Sequence, residues 1–229
     1  MTPANDRAVF SIAAFLAQHH YFRGIDPSAL GRLGEAATRR RVERGAMLFF
    51  EGEPSAGLWV IEAGRVKIFK VNVEGREHIL HLLGPGDSFN DVAAVDGGPN
   101  PVNAAALSDL IVWVIPSARL QEFLADYPPA ALSVAQAVSQ RLRGAIQQIE
   151  DLALYSVQAR MARFLLSQAE DPSLRGPAVT RAAIAAHLAT TPETVSRVLR
   201  SLEEAGAIRF DRHRIMIVDE ELLRGLAYM

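Results

Sequence analysis

The apolar positions of this 229-residue chain change their period along its length. Over residues 9–18, Phe10, Ala13, Ala14 and Ala17 share one face of a short helix. Asp26 and Pro27 open another, containing Leu30 and Leu33. From about Arg39 to Pro116 the period shortens. Runs of Val, Ile, Leu and Phe at 47–50, 58–62, 66–71, 78–83 and 104–115 are separated by recurring glycines. That texture predicts an antiparallel sandwich or roll. After the break at Tyr127-Pro128-Pro129 come Ala131, Ala135, Val138, Leu142, Ala145, Ile149 and Leu152, alternately four and three apart. This heptad seam predicts a helix of about 25 residues, roughly 37 Å long, that pairs in parallel with a second copy, the alternative being a helix packed along its own domain's sheet. Past Tyr155 and Ser156, a further helix carries Val157, Met161, Phe164 and Leu165 as its core stripe. A hinge falls at residues 153–157.

Residues 180–202 predict two short helices joined by a tight turn. Thr180 caps the first, and Ile184 and Leu188 mark its buried stripe. Ala189 and Thr190 form the turn. Thr191 caps the second helix, with Pro192 at its first position. Val195, Val198, Leu199 and Leu202 make its buried face. Glu193, Ser196, Arg197 and Arg200 repeat at the same intervals on the opposite face. Those side chains can read base edges: Arg pairs with guanine, Glu accepts from an amino group, and Ser serves either way. Gly206 ends the helix. Residues 208–210 and 215–218 then read as two strands of a wing around Asp211-Arg212-His213-Arg214, whose basic tip would touch phosphate. The expected DNA contacts are Thr191, Glu193, Ser196, Arg197, Arg200, Arg181 and Arg212.

Charge supports this placement. The net charge of −2 argues against a general nucleic-acid coat. Residues 160–214, however, hold nine Arg and no Lys against six acids, while residues 1–130 hold twelve cations against fifteen acids. The excess is modest, so affinity has to come from placement and pairing. With no cysteine, disulfides, Cys-ligated zinc and Cys-ligated iron–sulfur clusters are excluded. No apolar run reaches a membrane span and no signal-peptide pattern opens the chain, so a cytoplasmic protein is expected.

A glycine-punctuated roll, a long dimer helix and a winged helix in that order resemble the CRP/FNR family of bacterial transcription regulators. The likeness rests on Gly45 to Glu53, on Gly64-Arg65-Val66-Lys67, on Gly84-Pro85-Gly86-Asp87 and on Pro192 to Arg197. It implies an α+β fold: a cyclic-nucleotide-binding-like β-roll at 1–127, a dimerisation helix at 128–155 and a winged helix-turn-helix at 156–229. It also implies a homodimer, a palindromic operator, RNA polymerase as a partner and no catalysis. The E-x-x-S-R arrangement is FNR-like, which implies TTGAT-type half-sites read by Glu193, Ser196 and Arg197. The cyclic-AMP receptor instead has Arg where Pro192 stands and Gly where Ser196 stands.

The sensing side departs from the cyclic-nucleotide pattern. The resemblance puts the effector pocket at Asp91, Phe89, Leu142, Ala145 and Ile146. Asp91 stands in for the ribose-binding acid. The phosphate-binding Arg-Ser pair falls on Pro101-Val102, and the adenine-binding Thr-Ser pair on Ala145-Ile146. No Lys or Arg occurs from Glu77 to Ala118, and a phosphate buried there without a cation would be costly. The expected effector is therefore not cyclic AMP. Gln18 to Phe22, Ala186-His187-Leu188 and Pro192-Glu193-Thr194 also resemble the DNR-type members, which answer nitric oxide through haem. That implies His19, His20 or His187 as an iron ligand. The same residues suit structural roles, His19 or His20 capping the N-terminal helix and His187 packing inside the helix-turn-helix. His78 and His81, three apart on a strand, point to opposite faces and read as lining or surface residues of the roll. The alternatives for the roll are a small organic effector or none, the latter giving an effector-independent activator. A cupin-like metal protein is the rival for the roll, but it needs His-x-His and a partner Glu, and neither is evident.

Overall fold

The computed structural model describes residues 12–170, 180–211 and 215–228. Phe10 and, at the wing tip, Arg212, His213 and Arg214 lie outside the described residues. The α+β fold is the expected one: an antiparallel β-domain, a long helix and a C-terminal helix-turn-helix with a wing. The chain forms two compact units, residues 1–66 with 84–143, and residues 67–83 with 144–229. Among the described residues no helix is long and apolar enough to cross a membrane.

In the first unit, α1 covers residues 12–18 and α2 spans Pro27–Glu35. Asp26 Oδ1 accepts from the Ser28 and Ala29 backbone N–H groups, which is why α2 starts at Pro27. One antiparallel sheet orders β1 (Thr38–Val42), β8 (Leu110–Ile115), β3 (Leu58–Ala63) and β6 (Ser88–Phe89) as β1-β8-β3-β6. A second pairing joins β2 (Met47–Phe49) to β7 (Asn103–Ala106). The apolar run at 104–115 is thus two strands, in different pairings. Gly64, at φ +93°, closes β3 where a Cβ would meet the Asp109 carbonyl oxygen at 2.3 Å, so only glycine fits. Helices α3 (Asp91–Asp96) and α4 (Ser117–Asp126) flank the sheet, and α5 runs from Pro128 to Leu154. Ala130, Val134 and Ala137 of α5 join Leu16, Phe22, Leu30, Leu33, Trp113 and Phe123 in one core.

In the second unit, β4 (Val66–Val71) and β5 (Glu77–Leu83) form a hairpin turned by Asn72, whose backbone N–H donates to Arg76 O at 3.0 Å. The end of α5 leads through Tyr155 and Ser156 into α6 (Val157–Glu170). Then come α7 (Arg181–His187), α8 (Pro192–Glu204), the antiparallel pair β9 (Ile208–Phe210) and β10 (Ile215–Ile217), and α9 (Glu220–Leu226). Met161, Phe164, Leu165, Ile184, Leu188, Val195, Val198, Leu199, Leu202, Ile208 and Leu223 form its core. The core stripes expected for α6, α7 and α8 are therefore in place.

Candidate nucleic-acid interface

Helices α7 and α8 begin as their sequences dictate. Thr180 Oγ1 accepts from Ala183 N at 3.2 Å, and Thr191 Oγ1 accepts from Thr194 N at 3.3 Å. Pro192 sits at the first turn of α8, where its missing N–H leaves no gap. The turn between them puts Ala189 at φ +49°, a left-handed conformation that a small side chain tolerates best. The end of α8 is a Schellman closure. Gly206, at φ +84°, donates to Glu203 O at 2.9 Å, and Ala207 donates to Leu202 O at 3.0 Å.

Those ends hold a two-faced helix. Val195, Val198, Leu199 and Leu202 are buried, while Glu193, Arg197 and Arg200 are exposed and Ser196 is half-buried. Arg197 and Arg200 make no ion pair among the described residues, so their forked donors are unspent. Glu193 and Arg197, one turn apart, do not pair with each other. Glu193 has its pKa lowered, first by its own backbone N–H and then by the Thr191 hydroxyl. It therefore stays an ionised acceptor. Ser196 Oγ donates to Pro192 O at 2.9 Å and leaves its lone pairs outward. Thr191 and Arg181 are exposed, and the Arg181 guanidinium lies 5.6 Å over the Phe210 ring of β9. The wing strands pair Ile208 with Ile217 and Phe210 with Ile215, and Phe210 N donates to Glu203 Oε1 of α8 at 3.2 Å.

The effector residues suggested by resemblance are not alike in placement. Phe89 is buried, stacked 5.8 Å from Trp59. Asp91 is buried with its carboxylate engaged: Tyr21 Oη donates to Oδ2 at 2.6 Å, and Arg141 of α5 forms an ion pair with it. Arg141 also donates to Ser88 O at 2.7 Å. Burial first, and Asp91 second, raise the Tyr21 pKa, so its hydroxyl remains a donor. Leu142, Ala145 and Ile146 are exposed on α5. At the phosphate position stand Pro101 and Val102, next to Asn100, whose side chain is tied to Phe50 O and Asn90. The Tyr21–Asp91–Arg141 chain had no signal in the sequence, since its members are 50 and 70 residues apart.

The three histidines differ in the same way. A haem iron needs an imidazole nitrogen carrying a lone pair. His19 does not fit: its Nδ1 accepts from Tyr21 N at 3.3 Å, which puts the proton on Nε2, a buried atom with no partner. Burial first, then His20 and Arg141, lower its pKa to about 3. His20 is exposed, its ring 4.3 Å from that of His19. His187 fits the chemistry: its Nδ1 lies 3.1 Å from Ile79 O and donates to it, leaving the lone pair on Nε2. His78 does not line or face the roll alone, as its position on the strand suggested. Its Nδ1 lies 2.9 Å from Ala186 O of α7, because β5 belongs to the second unit and packs on that helix. Among the described residues no three His, Asp or Glu side chains gather to hold a metal.

Comparison with known proteins follows this geometry. A model of the cyclic nucleotide-binding domain matches residues 39–127, and a model of the Crp-like helix-turn-helix domain matches residues 159–226. The chain is 30% identical to a CRP-like cAMP-activated global transcriptional regulator of Mycobacterium tuberculosis, over 91% of this chain and 96% of that one. It is 27% identical to the cyclic AMP receptor protein of Thermus thermophilus, over 90% and 96%. In structure it is similar to FixK2 of Bradyrhizobium japonicum, with a TM-score of 0.74 at 25% identity, over 83% of this chain and 96% of that one.

Proposed function

The chain belongs to the CRP/FNR family of transcription regulators, and from that premise we propose a cytoplasmic homodimer that reads a TTGAT-type palindrome under an effector other than cyclic AMP. Residues 1–127 sense, 128–155 pair the two copies and 156–229 bind DNA. An effector shifts a two-state hinge near residue 155, and this sets the two recognition helices for two half-sites. RNA polymerase is the partner at the promoter.

The exposed row of α8 carries this reading. It presents an ionised acceptor, a hydroxyl and two unpaired guanidinium groups along one face of a helix capped at both ends. Against cyclic AMP stands the absence of a cation at Pro101-Val102, with the Asp91 carboxylate already spent on Tyr21 and Arg141. The two cyclic-AMP regulators named above are similar overall, but this local chemistry differs from what a buried cyclic phosphate requires.

Fluorescence anisotropy on a TTGAT palindrome and a scrambled duplex of equal length tests the reading. The palindrome should bind at least about a thousandfold more tightly. Arg197→Ala should cost about 1–3 kcal/mol at the guanine pair, whereas Arg212→Ala should weaken both duplexes alike. Equal losses on both duplexes for Arg197→Ala would sink its base-reading role.

A haem-sensing version is favoured by one observation, the His187 Nδ1–H fixed on Ile79 O. His187 would hold the iron through Nε2, and the haem would supply gas binding. A haemin titration with His187→Ala beside the parent protein separates this version from a haem-free one. A Soret band that saturates at one haem per chain and is lost in the variant supports it; no saturable band removes it.

A further inference from the structure

Within the second unit, the end of α5, helices α6 and α7, strand β5 and the residues around α9 enclose a cavity of about 530 Å³, the size of a small-molecule site. Its charge is unbalanced. Arg160, Arg163 and Arg224 line it against one acid, Asp151. That acid is taken: Arg163 Nη1 donates to Asp151 Oδ1 at 2.6 Å. Arg163 is further fixed by Ala227 O at 2.8 Å, with its guanidinium 3.8 Å over the Tyr155 ring. Arg224 pairs outward with Glu220.

Arg160 is left over. Its guanidinium has no acceptor among the described residues, and its Nε is sealed from solvent. Burial lowers its pKa, with Asp151 pulling the other way. A half-buried cation without an acceptor loses part of its hydration, and an oxyanion on its open Nη groups offsets that cost. The rest of the wall suits an organic body. The Phe164 ring lies 5.1 Å from that of His187. His78 and His187 both donate Nδ1–H to backbone carbonyls, Ala186 O and Ile79 O, so in the neutral ring the lone pair sits on Nε2. These nitrogens accept from a hydroxyl or N–H.

We propose that this cavity binds a small organic anion, its carboxylate or phosphate on Arg160, its flat apolar body against Phe164 and a hydroxyl or N–H toward the two imidazoles. His187 and Leu188 end the first helix of the helix-turn-helix, so occupancy ties α7 to β5 and α6. The binding site stands by itself; its consequence for DNA rests on the function proposed above.

The probe is 8-anilinonaphthalene-1-sulfonate, an aromatic body with one oxyanion and one N–H, titrated into the full chain by fluorescence. It should saturate at one per chain and be displaced by phenyl phosphate or benzoate, and the better competitor names the head group. Arg160→Gln should weaken it at least about tenfold, the worth of a charge-assisted pair. Ser167→Phe, at the exposed rim, should do the same by filling the mouth, and Val73→Ser on the hairpin turn should leave it within twofold. Thermal melts confirm that each variant is folded. Unchanged affinity in Arg160→Gln or in Ser167→Phe overturns the proposal, as does a stoichiometric haemin complex that expels the probe. Anisotropy on the palindrome with phenyl phosphate is read separately. Loss of DNA binding in every condition counts against the proposed function and leaves the fluorescence result standing.

Discussion

His19 is a titratable ring sealed in an apolar corner between Tyr21 and Phe22, and its surroundings decide its charge. Its folded pKa of about 3 lies well under the ordinary value of 6.5. Between those two values the unfolded chain binds a proton that the folded chain refuses, so stability falls as pH drops through that window. The expected loss from pH 7 to pH 5 is about 2 kcal/mol. Urea titrations at both pH values, repeated on His19→Phe, check it, and an equal pH dependence in the two proteins would remove the assignment. The resemblance of Gln18 to Phe22 to DNR-type members implied His19 as a possible iron ligand. Which nitrogen carries the proton is set by the Tyr21 backbone N–H, and no sequence pattern shows that. Asp91 teaches the same. A carboxylate near the expected pocket was legible, but its engagement by Tyr21 and Arg141 was not.

The long helix shows what periodicity can and cannot resolve at the scale of an element. Helix α5 carries two stripes. Ala130, Val134 and Ala137 face their own core and Val138 of the heptad seam packs half-buried against it, while the seam from Leu142 onward is exposed, with Leu142 at 62% and Ile149 at 67%. An apolar stripe that repeats every 3.5 residues and is exposed over its second half is suited to a second copy. The double change Leu142→Glu with Ile149→Glu should convert a dimer to a monomer in light scattering without loss of helical circular dichroism. A parent protein that is monomeric at micromolar concentration would end the dimer reading. The helix ends were legible because caps are local: Asp26, Thr180, Thr191 and Gly206 each act within three or four residues. Strand β1, with three consecutive arginines, was not fully legible, since it exists through its ladder with β8. Helix α4 was missed because only Leu120 and Phe123 mark its buried side.

At the scale of the whole molecule, family membership and local chemistry point to different ligands. The chain matches a cyclic nucleotide-binding domain and a Crp-like helix-turn-helix domain and is similar to a cAMP-activated regulator, yet the phosphate position holds Pro101 and Val102. Millimolar cyclic AMP should therefore leave the affinity for a TTGAT palindrome within about twofold, and an increase of about tenfold or more would overturn the exclusion. The order of a β-domain, a long helix and a helix-turn-helix, the two-faced recognition helix and the exposed seam were determined by the sequence alone. Each depends on neighbours within one or two turns, where period, cap and charge can be read directly. Only the tertiary structure decided which charges were spent. The Tyr21–Asp91 bond spans 70 residues, and the His78–Ala186 and His187–Ile79 bonds each span 108. The same holds for the unbalanced Arg160 cavity, because the availability of a guanidinium or an imidazole nitrogen depends on what folding brings beside it, and residues so far apart leave no common period to read.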